Sequence, residues 1–309
     1  MTDIREIVDV PCIIRPETCY CGGTLKPLGS GPFFVRLDGE RVNLRTILYY
    51  CKKCDLSIRG LDYNDPMVLT HYELALYTDP KQEEYWRERR RIFFEWFYQM
   101  SCRHLGRQPT EVLDFGCSYG HLLDVFADKG AHTLGIEVSP QMILKIKKEG
   151  RHQVSPSLQE ADIDDASLDI IIAIDSIYCC GQSDPTDLLA SFSRKLRPGG
   201  ILITRTTNRN LVHRLYTLRW HLFHGRWKLP APIPYHVCGD AMFNFSERAL
   251  VSRYAAAGLT GVTAYRWEKK RKRLMEYIRD VGMVVMYYAS VKKIDLCPGL
   301  VLVARKSVG

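Results

Sequence analysis

Residues Val112-Leu-Asp-Phe-Gly-Cys-Ser-Tyr-Gly120 run from an apolar strand straight into a glycine turn that opens a helix. A second apolar run, Thr133-Leu-Gly-Ile-Glu137, ends in a carboxylate. A strand, a tight turn, a helix and a second strand ending in an acid make a nucleoside-binding half-unit. The glycines let backbone amides approach a ligand closely, and the acid can accept both ribose hydroxyls. The intervening helix, expected over 121–129, places Leu122, Leu123 and Phe126 on one face and stops at Gly130. The third glycine of the dinucleotide fingerprint is missing at its required spacing.

Working outward, Ser139-Pro140 reads as the start of a helix with Met142, Ile143 and Ile146 inward and Gly150 at its end. Leu168-Asp-Ile-Ile-Ile-Ala-Ile174 is a continuous apolar run, the mark of a strand covered on both faces of a parallel sheet. A helix with Leu188, Leu189, Phe192 and Leu196 follows, and Arg197-Pro-Gly-Gly200 turns into a strand over Ile201–Thr204. Alternating strands and amphipathic helices predict an α/β fold built on a doubly wound sheet. Ligands in such sheets sit beyond the carboxyl ends of the strands, where Gly116, Glu137 and Asp175 fall. Upstream, Asp79-Pro80 starts a helix with Tyr85, Trp86, Phe93, Trp96, Phe97 and Met100 in a broad apolar stripe and Arg87 to Arg91 on a solvated face.

The chain has eleven cysteines. Cys19-Tyr-Cys21-Gly-Gly and Cys51-Lys-Lys-Cys54 form two short knuckles flanking β-like runs at Phe33–Leu37 and Thr46–Tyr50. Four thiolates on two tight turns are an economical way to build a tetrahedral zinc site, so a small N-terminal zinc ribbon is expected with Cys19, Cys21, Cys51 and Cys54 as ligands. The first knuckle is Cys-x-Cys where ribbons usually have Cys-x-x-Cys, which leaves Cys12 as a possible replacement for one ligand. Such a site has no open position and is structural.

Asp114, Gly116, Ser118 and Gly120 resemble motif I of the class I S-adenosylmethionine-dependent methyltransferases, an acid ahead of a Gly-x-Gly/Ser-x-Gly loop. The resemblance implies a Rossmann-like sheet in which Asp114 reaches the methionine end of S-adenosylmethionine. The Gly116–Gly120 loop passes under the cofactor, Glu137 holds the ribose, and Phe115, Tyr119, Val138 and Asp175 complete the cofactor site. Leu168-Asp169 through Asp175, and Leu196-Arg-Pro-Gly-Gly200, look like motifs IV and V of the same enzymes. Pro234-Tyr-His236, Phe245-Ser246 and Ala257-Gly258-Leu259 look like the segment before their last helix–strand pair, and Leu300–Lys306 like their terminal strand. A zinc ribbon joined to such a domain is similar to bacterial methyltransferases of sugar, cell-envelope and secondary-metabolite pathways. Two departures, Asp175-Ser-Ile-Tyr178-Cys179-Cys180 where many relatives have Glu-His and the lack of a large extra C-terminal domain, speak against sugar C-methylation.

The expected organisation is a zinc ribbon over 1–62, a connecting helical segment over 63–108 and a methyltransferase domain over 109–309 with a lid insertion at about 205–244. The lid holds Trp220, Trp227, Tyr235 and histidines 213, 221, 224 and 236. Methyl transfer to a hydroxyl needs a general base, and His236 is the first candidate, with Tyr178 after it. Hydrophobic residues make up 46% of the 309, enough for a sizeable core, and no apolar run approaches the ~20 residues that span a bilayer. The N-terminal residues have no signal pattern, so a cytoplasmic protein is expected. The net charge of +8 is moderate, and Lys269–Arg273 supplies five cations as a solvated helix end. These features favour O-methylation of a small-molecule biosynthetic intermediate. An RNA methyltransferase using the ribbon and the basic run is the weaker reading, since no Asn/Asp-Pro-Pro-Tyr motif or long basic stripe is present. A catalytically silent binding protein is a third.

Overall fold

The computed structural model describes residues 6–7, 11–37, 40–63, 65–66, 68, 80–177, 184–209, 211, 213–215, 218, 222, 241–266 and 274–307. Two sheets organise them. The first joins β1 (Glu6–Ile7), β2 (Leu25–Leu37), β3 (Glu40–Cys51), β4 (Leu56–Arg59) and β10 (Phe243–Phe245). The second has seven strands: β5 (Glu111–Phe115), β6 (His132–Ile136), β7 (Gln153–Ser155), β8 (Leu168–Ile174), β9 (Leu196–Thr207), β11 (Leu259–Tyr265) and β12 (Gly299–Lys306). Its order is β11-β12-β9-β8-β5-β6-β7. Strands β7, β6, β5, β8 and β9 are parallel, while β12 runs antiparallel to both β9 and β11. Strand order reverses between β5 and β8, and a ligand crevice forms at such a point.

The alternation of side chains along each strand supplies two apolar layers. On one face Val112, Ile170, Ile172, Ile201, Ile203, Val301 and Val303 pack with Leu122 and Phe126 of helix α2 (His121–Ala127) and with Phe93, Phe94, Phe97 and Met100 of helix α1 (Pro80–Leu105). On the other, Leu113, Ile171, Ala173, Leu202 and Leu302 meet Leu189 and Phe192 of α4 (Pro185–Lys195) and Leu250 and Tyr254 of α5 (Glu247–Ala256). Helix α3 (Pro140–Glu149) begins at Pro140 and ends at Gly150, whose φ of 69° is the left-handed cap that glycine permits.

Three features differ from the sequence reading. The two short β-like runs are parts of a long hairpin, β2 paired with β3 from Leu25↔Cys51 to Leu37↔Glu40, Phe33–Leu37 lying at its turn end and Thr46–Tyr50 towards its open end. Pro27, Gly29, Gly31 and Pro32 break its alternation and hide its length, and a register shift lies between Pro27 and Gly29. Strand β9 starts at Leu196, ahead of the Arg-Pro-Gly-Gly bulge. Leu274, Tyr277, Ile278, Val281 and Val285 read as a helical pattern opened by the Lys269–Arg273 run, but helix α6 (Leu274–Ala289) turns Leu274, Tyr277, Ile278 and Val285 to the exterior and buries Tyr287 instead. Among the described residues no helix is long and apolar enough to cross a membrane.

Candidate cofactor cleft and cysteine cluster

The glycine turn after β5 is built from backbone conformations that few side chains permit. Gly116, Ser118 and Gly120 have φ of 84°, 53° and 77°. The amides of Gly116 and Cys117 both donate to the Ile136 carbonyl, at 2.8 and 3.0 Å, tying the turn to the end of β6. A Cβ on Gly116 would lie 2.7 Å from the Ser176 Cβ, too close for any side chain without displacement. Ser176 in turn donates to the Phe115 carbonyl at 2.5 Å. The loops following β5 and β8 are therefore in direct contact across the reversal point.

Glu137 follows β6 and is 4% exposed. Its carboxylate accepts from the Ser118 amide at 2.8 Å and the Ser139 amide at 2.9 Å. Burial raises its pKa, and these amide bonds pull the other way. An ionised carboxylate offers about four lone-pair directions. Two are used by these amides and the Val138 amide also acts on the group, which still leaves room for a ribose hydroxyl. Asp114, one residue before the end of β5, is also buried, and burial together with the Glu137 charge pushes it up to about 8. Two carboxyl groups at the mouth of one glycine turn form a site suited to a ligand with ribose hydroxyls and positive charge.

The other expected cofactor residues take distinct places. Phe115 packs edge-on to Phe192 with ring centroids 5.0 Å apart. Tyr119 stacks on His121 at 5.4 Å, with the Lys145 ammonium 5.0 Å from its ring. Val138 is exposed beside Glu137. Asp175 follows β8 with φ of 56° and is paired with Arg205 of β9, a partner with no local sequence signal. Tyr178 and His236 lie outside the described residues, as do His221 and His224. His213 is fully buried, and burial with the nearby Arg209 pushes it down to about 3, so it is neutral at physiological pH. Asp169, in the motif IV segment, sits at the opposite end of β8. It accepts from Arg107, Arg197, Thr110 and the Glu111 amide and serves the fold.

The four cysteines of the two knuckles come together, with all four Sγ atoms within 4.8 Å of one another. Cys19 lies 3.6 Å from Cys54, and Cys21 lies 3.4 Å from Cys51. A Zn–S bond of about 2.3 Å gives a tetrahedron with edges of roughly 3.8 Å, close to both separations. Cys12 is buried but is not part of the cluster. The irregular Cys-x-Cys spacing works because Gly22, at φ of 72°, closes a turn in which its amide bonds to the Cys19 carbonyl. The Cys54 thiol is pulled down, chiefly by the hydrogen bond with Cys19 and further by Arg253 of α5. The Arg253 guanidinium reaches the Cys54 sulfur at 3.6 Å.

Strand order, the antiparallel β12 and an acid-bracketed glycine turn at the reversal point define the architecture of class I S-adenosylmethionine-dependent methyltransferases. A family model described as methyltransferase domain matches residues 85–264, more than half of the chain, and the chain belongs to that family. A probable S-adenosylmethionine-dependent methyltransferase of Mycolicibacterium smegmatis is 26% identical over 133 residues, 41% of this chain and 48% of that protein. A ubiquinone biosynthesis O-methyltransferase of Xylella fastidiosa is 32% identical over 110 residues, 33% of this chain and 44% of that protein. The chain thus spans about half the length of the curated relatives it matches. Among solved structures, a SAM-dependent methyltransferase from Archaeoglobus fulgidus is 18% identical with a TM-score of 0.48, over 73% of this chain and 98% of that one.

Proposed function

We propose that this chain transfers the methyl group of S-adenosylmethionine to an oxygen of a small-molecule biosynthetic intermediate. The observation that supports the reading best is the buried Glu137 carboxylate, held by backbone amides beside the glycine turn with acceptor capacity left over. Glu137 is suited to the ribose hydroxyls, the Gly116–Gly120 turn to the close approach of the cofactor, and Asp114 to its cationic methionine end. Phe115, Tyr119, Val138 and Asp175 belong to the same proposed site. The cofactor when bound supplies an already activated methyl group. What remains for the protein is alignment of the acceptor, exclusion of water and removal of the acceptor's proton. His236 is the proposed base, with Tyr178 second. O-methylation is also what the name of the Xylella relative states for that protein.

Zinc is the proposed occupant of the Cys19, Cys21, Cys51 and Cys54 cluster, in a structural role. Four thiolates with tetrahedral spacing and no fifth donor among the described residues suit it.

Calorimetric titration of S-adenosylmethionine into wild type and Glu137→Gln tests the proposal. Gln keeps the shape but loses charge-assisted acceptance, so the expected loss is about 2 kcal/mol, roughly thirtyfold in affinity. A folded wild-type protein that takes up no S-adenosylmethionine would refute it. With an acceptor in hand, His236→Ala should lower kcat with little change in cofactor affinity, and an unchanged kcat would pass the role to Tyr178.

A further inference from the structure

A separate cavity of about 410 Å3 opens beyond the carboxyl end of β9. Its volume is in the range of small-molecule sites. Its wall begins close to the cofactor cleft: Arg205 pairs with Asp175, and Asn208 and Arg209 follow three and four residues later. The described lining contains six cations, Arg209, Arg214, Arg248, Arg266, Lys292 and Lys293, against three carboxylates, Asp55, Glu247 and Asp295. The lining therefore has a surplus of three positive charges.

Two of the cations are buried and held in place. Arg266 is 7% exposed, bridges Glu247 at 2.7 Å and Asp295 at 2.9 Å, and lies 4.7 Å from the Tyr287 ring centroid. Arg209 is 6% exposed, pairs with Asp55 and lies over Tyr50 at 4.1 Å. These pairs consume the carboxylates without using every donor. Arg266 Nη1 and Arg209 Nε are buried and have no hydrogen-bond partner among the described residues. A buried donor left over costs about 1–3 kcal/mol, and a bound anion removes that cost. Arg214 and Arg248 reach Asp55 only at 3.9 Å, and both are largely exposed. The start of α5, capped by Ser246, adds the positive end of a ten-residue helix to the same wall.

We infer that this cavity holds a phosphate ester or diphosphate group of the methyl acceptor; the inference rests on the methyltransferase reading above. A carboxylate is matched by a single arginine fork. Cations arriving from the segment after β9, from α5, from the exit of β11 and from the α6–β12 connection instead surround a dianion with donors on several sides. The N-terminal sheet shapes the cavity, because Asp55, next to the cluster residue Cys54, gathers Arg209, Arg214 and Arg248. Asp55 also accepts from the Tyr50 hydroxyl at 2.9 Å, and its φ of 57° aims it there.

The test titrates inorganic phosphate, pyrophosphate and phenyl phosphate into the full chain at constant ionic strength set with chloride, with S-adenosylmethionine titrated on the same preparation. Pyrophosphate should bind below millimolar, and phenyl phosphate at least as well as phosphate. All three should weaken at least tenfold in Arg248→Ala/Lys293→Ala, whose side chains are exposed and safe for folding, and in Arg266→Gln, with cofactor affinity retained. No pyrophosphate binding by a protein that binds S-adenosylmethionine overturns the inference and leaves the proposed function standing. Phosphate binding with exclusion of phenyl phosphate, or affinity unchanged in the double variant, overturns it as well. Tighter binding of single-stranded RNA that grows with length and falls steeply with salt would assign the surface to nucleic acid and overturn the small-molecule acceptor. Pyrophosphate binding without any cofactor binding would remove the acceptor role together with the methyltransferase reading.

Discussion

Replacing Asp114 by Asn should make the cofactor-free protein relatively more stable as pH rises. Asp114 is pushed up to about 8 in the folded chain by burial and by Glu137, whereas an unfolded aspartate titrates near 3.9. Between those values the folded state holds a proton that the unfolded state has released. Wild-type stability is therefore full below pH 4, is lost as pH rises and levels off above about 8. The slope is about 1.36 kcal/mol per pH unit, an upper bound of roughly 4 kcal/mol between pH 5 and pH 8, which water penetration and relaxation should reduce to about 2 kcal/mol. Asn cannot ionise, and any cost of seating its amide is independent of pH. Urea denaturation of wild type and Asp114→Asn at pH 5 and pH 8, without cofactor, isolates the difference. The variant should gain about 2 kcal/mol relative to wild type on going to pH 8. An identical stability difference at both pH values would mean that Asp114 is already ionised at pH 5, and the electrostatic account of the cleft would be wrong. In the same variant, the proton released when a cationic cofactor binds wild type near pH 7 should disappear, as calorimetry in buffers of different ionisation enthalpy would register.

Gly116→Ala should abolish S-adenosylmethionine binding measured by calorimetry, because the added Cβ meets Ser176 at 2.7 Å and φ of 84° is unfavourable for alanine. Asp169→Ala should cost about 1–3 kcal/mol in urea denaturation, since it leaves the Thr110 and Glu111 amides without their acceptor while the half-exposed Arg107 and Arg197 regain water. The purified protein should contain one zinc per chain by elemental analysis, and Cys54→Ser should lower that content. Chelation should weaken pyrophosphate binding, through Asp55, before it weakens cofactor binding; equal sensitivity of the two would argue against the link.

The elements read best from sequence are those whose signal is local. Leu168–Ile174 forms a strand with the bounds of its apolar run, because a central parallel strand is apolar on both faces. The turn at Gly116–Gly120 and the acid at Glu137 were legible because backbone conformation dictates glycine and because strand ends place the acid. The pairing of β10 with β4 was not legible. It joins Phe243 to Ile58 and Phe245 to Leu56 across more than half of the chain, and three residues cannot announce a strand. The cationic cavity was hidden for the same reason. Its cations come from the residues after β9, α5, the exit of β11 and the segment before β12, and each looks like an ordinary surface charge in sequence. The most basic run that the sequence displays, Lys269–Arg273, lies outside the described residues.

The N-terminal sheet is built into the second half of the chain rather than appended to it. Arg59, 1% exposed at the end of β4, donates to the Ala241 carbonyl at 3.2 Å and to Pro32 and Thr46 within its own sheet. Its backbone amide bonds to Met242 at 2.9 Å, directly ahead of β10. At the other end of the same short strand, Arg253 reaches Cys54, Ser246 donates to the Asp55 carbonyl at 3.2 Å, and Arg209 pairs with the Asp55 side chain. Breaking one member of such a buried charge network costs several kcal/mol, so β4 is fixed at both ends against α5 and the exit of β9. A metal-bound knuckle is a rigid way to hold that strand, since four ligands fix the turn regardless of how little apolar surface a small sheet can bury. The cysteine cluster thus has a physical reason to accompany this methyltransferase fold. It holds Asp55, around which Arg209, Arg214 and Arg248 gather, at the wall of the cavity proposed above for the acceptor's phosphate.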